Sequence, residues 1–168
     1  MSKGRSRERG STLIEFSLVG VPLMLVACSV MAMALSMWQF HTLEFATQMT
    51  TRYIAMHGRT CVQDSSTCIV TVGDIASYFA AHAIALDPAK TNLTLKSATA
   101  TTNCNPLSSC NGNASPFPNS NDNGINFDIT LTASYSMMNP VAMFRPAGSA
   151  ATPSTLNLFA MSRQRILY

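Results

Sequence analysis

The first residues with chemical consequence stand near the N-terminus, in Arg9-Gly10-Ser11-Thr12-Leu13-Ile14-Glu15-Phe16. A glycine closes a basic segment, an apolar run begins at once, and a lone carboxylate follows at Glu15. Glycine has no Cβ, so the backbone there can extend and approach the catalytic groups of a protease closely. Such a glycine is compatible with cutting at Gly10-Ser11, with Glu15 and Phe16 just inside the apolar segment. Nothing points to catalysis by the chain itself. His41, His57 and His82 are scattered, and no serine sits in a nucleophile-elbow context. Asp64, Asp74, Asp87, Asp122 and Asp128 lack the spacing of a calcium loop. The expectation is a substrate of a protease, with no cofactor and no metal.

Five cysteines are present, and Cys28 lies within the apolar run, where it reads as a small hydrophobe. The others form two close pairs, Cys61 with Cys68 and Cys104 with Cys110. Four cysteines allow three connectivities, and the two local ones are favoured because each closes a short polar loop. Zinc is the rival, but these spacings do not match the two to four intervening residues of structural knuckles. Disulfides imply an oxidising compartment such as a bacterial periplasm.

The charge distribution supplies a frame for these residues. Only 11% of the 168 residues are charged and the net charge is +3, too weak for a surface that tracks nucleic-acid phosphates. Lys3, Arg5, Arg7 and Arg9 cluster against a single acid, Glu8, and from Phe16 to Phe40 no residue is formally charged. A bilayer core needs about 20 apolar residues in helix, so this run can span it. Ser17, Ser29, Ser36 and Gln39 dilute the run, but hydroxyls in a helix can bond to its backbone. The basic flank should stay cytoplasmic by the positive-inside rule, placing the chain from about His41 onward across the membrane.

Three readings compete for this N-terminus. A secretory signal peptide would be cut after Ala32-Met33-Ala34, leaving Leu35 first and discarding an apolar face that continues beyond the cut. An uncleaved anchor would keep Met1. A prepilin-type leader would end at Gly10, and Ser11 would begin the mature chain. Glu15 bears on the choice, because an ionisable side chain costs about 2.5–3.5 kcal/mol at the bilayer centre and less near its edge. In the intact chain it can snorkel or reach a leader arginine. After cleavage a new ammonium at Ser11 appears one turn away, on its own chain or a neighbour's, and the positive helix end favours a carboxylate there. Gly10 can also simply precede the helix, with Ser11 or Thr12 as N-cap.

The stretch from Arg9 through Val19, the early Pro22, and Phe45-Ala46-Thr47-Gln48-Met49-Thr50-Thr51-Arg52-Tyr53-Ile54-Ala55 together resemble TadE-like proteins. These are minor pseudopilins of the tight-adherence (Flp, or type IVc) pilus system. The resemblance covers roughly residues 9–60. Thr12-Leu13-Ile14-Glu15 also resembles the start of type IV pilins and type II secretion pseudopilins, which usually begin with phenylalanine where this chain has Ser11. The Met-rich stretch Met31, Met33 and Met37 is less typical, as is Trp38 or Gln39 where many members carry a second acid. The resemblance implies cutting by a prepilin peptidase, and residence in the bacterial inner membrane with the globular part in the periplasm. Extraction by an inner-membrane platform and its ATPase would follow, and the chain would sit in, prime or cap a pilus beside other pilins and pseudopilins. A membrane-anchored periplasmic binding module is the alternative from the residues alone.

The expected organisation is α+β: a basic leader over 1–10, a long helix over 11–58 spanning at about 16–40, and a periplasmic domain over 59–168. The helix should run about 70 Å at about 1.5 Å per residue. Leu35, Trp38, Thr42, Phe45, Met49, Arg52 and Met56 make a stripe at helical spacing whose outer half reads as core packing. Gly58 reads as the stop. A short helix is expected over Val72–Leu86, and a strand over Asn92–Thr99. Residues 101–124 read as a long exposed loop. The alternation from Ile125 to Ser136 predicts a half-buried strand, and a last strand should run over Ser154–Ser162. Met137 to Phe144 is apolar and broken by Pro140, either a core plug or a contact patch.

Overall fold

The computed structural model describes residues 8–57, 70–119, 122, 127–138 and 155–166. One helix, α1 (Glu8–Met56), runs 49 residues, about 73 Å at the α-helical rise. A second, α2 (Val72–His82), is fixed at its start by a capping box. There Asp74 N donates to Thr71 Oγ1 at 3.1 Å, and Thr71 N donates back to the Asp74 carboxylate. Four strands follow: β1 (Thr91–Lys96), β2 (Thr101–Cys104), β3 (Asp128–Met138) and β4 (Thr155–Arg165). They form one antiparallel sheet in the order β2-β1-β3-β4. The fold is α+β, as the sequence predicts, with the outer part of α1 laid on β3 and β4 and α2 packed against α1.

Alternation decides which face of the sheet is dry. Ile129, Leu131, Ala133 and Tyr135 of β3 point inward, and Leu93 and Leu95 of β1 stand beside them. Ile75, Ala76 and Phe79 of α2 close the core from the other side. Phe127 does not continue this row; it precedes the strand and is 37% exposed.

The largest correction concerns α1. The expected stripe faces outward: Leu35, Trp38, Phe45 and Met56 are all exposed. The buried face instead carries Leu43, Ala46, Thr47, Thr50, Thr51 and Ile54. Reading threonine as polar hid this face. Each buried threonine hydroxyl donates to the carbonyl four residues earlier, at 2.7 Å, so nothing polar is stranded. What remains is a short branched side chain that lets the helix approach the sheet closely.

Other boundaries move for local reasons. α2 stops at His82 because Ala83 leaves helical geometry, and Leu86 N donates to Ala83 O in a turn. Leu86 is buried nonetheless. The expected loop over 101–124 contains β2, which completes a hairpin with β1, and a 3-10 turn at Leu107–Cys110. Leu107 and Phe117 from this stretch reach the core. Its polar composition concealed a strand that is satisfied by pairing rather than by burial. α1 already begins at Glu8, so neither Ser11 nor Thr12 is its N-cap. Its last backbone bond, His57 N to Tyr53 O, lies just before Gly58, which is outside the described residues. Met137 packs on the core, while residues 139–144 lie outside the described residues.

The threonine face makes a sharp prediction. Thr50→Val keeps the shape and removes only a hydroxyl whose acceptor already takes a backbone bond, so stability should change by less than about 1 kcal/mol. Thr50→Leu should cost about 1–3 kcal/mol by forcing α1 off the sheet. Thermal unfolding of the two variants checks it; equal losses would show that the hydroxyl, not the close approach, matters.

Candidate functional site

The residues singled out in the sequence lie on one continuous helix. Gly10 and Ser11 sit in the first turns of α1, and the bond between them is in helical backbone. A protease that reads extended chain must therefore unwind this end, which costs little because helix termini fray and glycine is a poor helix former. Glu15 follows on an exposed surface. Phe16 is 77% exposed, with its ring 3.6 Å from where a Cβ on Gly20 would stand.

Beyond this point the helix is apolar on every side. Leu18, Val19, Val21 and Leu23 lie around its circumference, and all are at least 58% exposed. The helix contains one stretch long and apolar enough to cross a membrane, with mean hydropathy 2.4 and none of that window buried. An amphipathic surface helix would show a polar face here, and a core helix would be covered. The hydroxyls that dilute the run are satisfied within it: Ser29 Oγ donates to Leu25 O at 2.7 Å and Ser36 Oγ to Ala32 O at 2.8 Å. Cys28 is exposed on the same helix and carries a free thiol.

Among the described side chains of α1 the first fully buried one is Leu43, three residues after Phe40. At the helical rise that is about 4.5 Å, so the domain follows the apolar run with no linker. Cys104 and Cys110 are joined as expected, with Cα atoms 5.4 Å apart. Closing so short a loop is worth about 2 kcal/mol in the chain-entropy account. Cys61 and Cys68 lie outside the described residues.

Sequence reasoning missed a four-ring stack between the helices. Tyr53 and Tyr78 stack at 4.2 Å, His57 lies 4.3 Å from Tyr53, and His82 lies 4.3 Å from Tyr78. Each histidine Nδ1 is 2.9 Å from the carbonyl of its own tyrosine four residues earlier. The signal was a tyrosine and a histidine at i and i+4 on both helices. Burial holds the Tyr53 phenol above its ordinary range, with the charge of Asp74 and the neighbouring Tyr78 adding to it.

The domain's carboxylates are structural. Asp122 is fully buried and accepts from Ser97 Oγ and from Thr99 N, the latter at 2.8 Å, clamping the β1–β2 turn. The Ser97 bond chiefly holds it below the usual carboxylate range. Asp128 is lowered as well, mainly by its hydrogen bond from Arg163, with Arg165 at 3.6 Å. An open concavity of about 670 Å³ lies beside this pair, lined among others by Lys96, Phe127, Thr132 and Met161. Among the described residues no three His, Cys, Asp or Glu side chains are grouped to hold a metal. Compared with known protein families, with curated proteins and with solved structures, the chain matches none.

These carboxylates set the acid response. Their folded pKa values lie below the unfolded value of about 4, so the stability they contribute is complete above about pH 4 and is lost as pH falls through the lower folded values. Asp122→Asn keeps an acceptor for Ser97 and Thr99 but cannot titrate. Melting temperatures measured from about pH 6 down to about pH 2 should fall less steeply for this variant than for the parent. An identical slope would remove Asp122 from the acid response.

Proposed function

We propose that the chain is a minor pseudopilin of a tight-adherence (type IVc) pilus, and the substrate of a prepilin peptidase. The observation that carries this reading is the junction itself. A basic leader ends at Gly10, an apolar helix exposed on all faces begins, and Glu15 is the one formally charged residue between Arg9 and Glu44. The peptidase would cut Gly10-Ser11 at the cytoplasmic membrane surface, leaving the domain in the periplasm of a single-pass inner-membrane protein. The apolar helix rests in lipid until an assembly platform extracts it into contact with the helices of other pilins and pseudopilins. There Glu15 pairs with the ammonium of Ser11, its own or a neighbour's, because a carboxylate in an apolar bundle must find a cation. That pairing sets the axial register. Adhesion to surfaces would be the role of the assembled pilus.

A second reading is an uncleaved anchor carrying a periplasmic binding module, with which unbroken helix at Gly10-Ser11 is equally compatible. A pseudopilin of a type II secretion or type IV pilus machine shares the junction and is a third.

Two variants test the pilus reading. Gly10→Leu should block processing, abolish piliation and leave the full-length chain in the inner membrane. Glu15→Gln should leave insertion and processing intact but impair incorporation into the assembly. Immunoblots of membrane and sheared-pilus fractions read both outcomes. Normal piliation with uncut Gly10→Leu chains would overturn the reading, and normal incorporation of Glu15→Gln would remove Glu15 from the register.

A further inference from the structure

The two helices run antiparallel: Phe45 of α1 lies against His82 of α2, while Tyr53 further out lies against Tyr78. Asp74, at the opposite end of α2, acts on Tyr53. The C-terminal end of α2 therefore points back toward the apolar segment of α1. Phe45 stands five residues past Phe40, about 7.5 Å along the axis. The turn Ala83 to Leu86 follows directly from that end of α2.

This turn is unlike the rest of the domain surface. Ala83 and Leu86 are buried and anchor it, while Ile84 between them is 87% exposed, the highest exposure of any large apolar side chain described. Phe45, beside His82, is 49% exposed on the same end of the domain. Asp87, the nearest charge after Ile84, is folded back on its own turn and accepts from Ala89 N at 3.0 Å. Trp38, 59% exposed, and Phe40 complete an aromatic girdle where the apolar segment ends. Aromatic rings of this kind favour the membrane–water boundary.

We propose that the Ala83–Leu86 turn seats Ile84 in the headgroup layer of the membrane that α1 spans, giving the domain a second lipid contact beside its helix. The absence of a linker between Phe40 and Leu43 places the turn at that depth, and its protruding isoleucine matches the apolar side of the layer. A helix and a loop anchored together would fix the tilt and rotation of the domain above the bilayer. The inference rests on the membrane span proposed above.

The chain has one tryptophan, Trp38, which makes the test direct. The full-length protein is reconstituted in phosphatidylcholine–phosphatidylglycerol vesicles containing lipids brominated near the top of the acyl chain. Trp38 should be quenched in the parent, and Trp38→Phe with Ile84→Trp should show a blue shift and comparable quenching. As a second measurement on the unsubstituted chain, a lipid bearing a diazirine at the same depth should label Ile84. Quenching of Trp38 without quenching or labelling at residue 84 would overturn the loop contact and leave the span standing, as would a turn covered only by another protein. No quenching at either position would overturn the span and the contact together.

Discussion

A single helix divided into a packed outer part and an uncovered apolar inner part is the constraint on which the structure depends. Its outer part buries one face against the sheet, while its inner part exposes apolar side chains all round. Keeping about ten large apolar side chains in water rather than in an apolar phase forgoes about 15–30 kcal/mol. Those side chains are equally exposed in the unfolded chain, so this term does not weigh on folding; it favours an apolar environment for the inner part, a candidate membrane span.

The division between the two parts falls within a few residues, at Phe40 to Leu43, without a change of secondary structure. On the outer side the threonines allow close approach, and their hydroxyls are closed off by the helix backbone. The bulky residues, Phe45 and Met56 among them, are left on the opposite side. The exposed outer side of α1 carries Phe45 and Met56 with the charged Arg52 between them. Under the pseudopilin proposal, the apolar inner segment would suit a subunit that passes from a bilayer into a bundle of like helices, where van der Waals packing rather than hydrophobic transfer holds partners together.

Much of this was legible in the sequence, and what was not has identifiable causes. The α+β architecture, the two helices, the dry face of β3 and the Cys104–Cys110 bridge all follow from periodicity and spacing. The rotation of α1 did not, because ranking side chains by hydropathy favours Trp38 and Phe45 over Thr47 and Thr50. Burial is decided by close approach as much as by greasiness. β2 was invisible because an edge strand of Thr-Thr-Asn-Cys is specified by its hairpin partner β1 rather than by its own alternation. The Tyr–His stack needed two helices to be set side by side before a repeated i, i+4 pair acquired meaning. The junction at Gly10 is the reverse case: it is a chemical motif, readable only as sequence, and helical geometry there looks ordinary.

The account turns on which bond at the N-terminus is severed in the cell. Mass-spectrometric mapping of the chain purified from membranes and from shed pili addresses it directly. A mature chain beginning at Ser11 is the result expected. A chain that retains Met1 would make it a permanent anchor, and one that starts at Leu35 would make it a secreted domain; either would contradict the pseudopilin account.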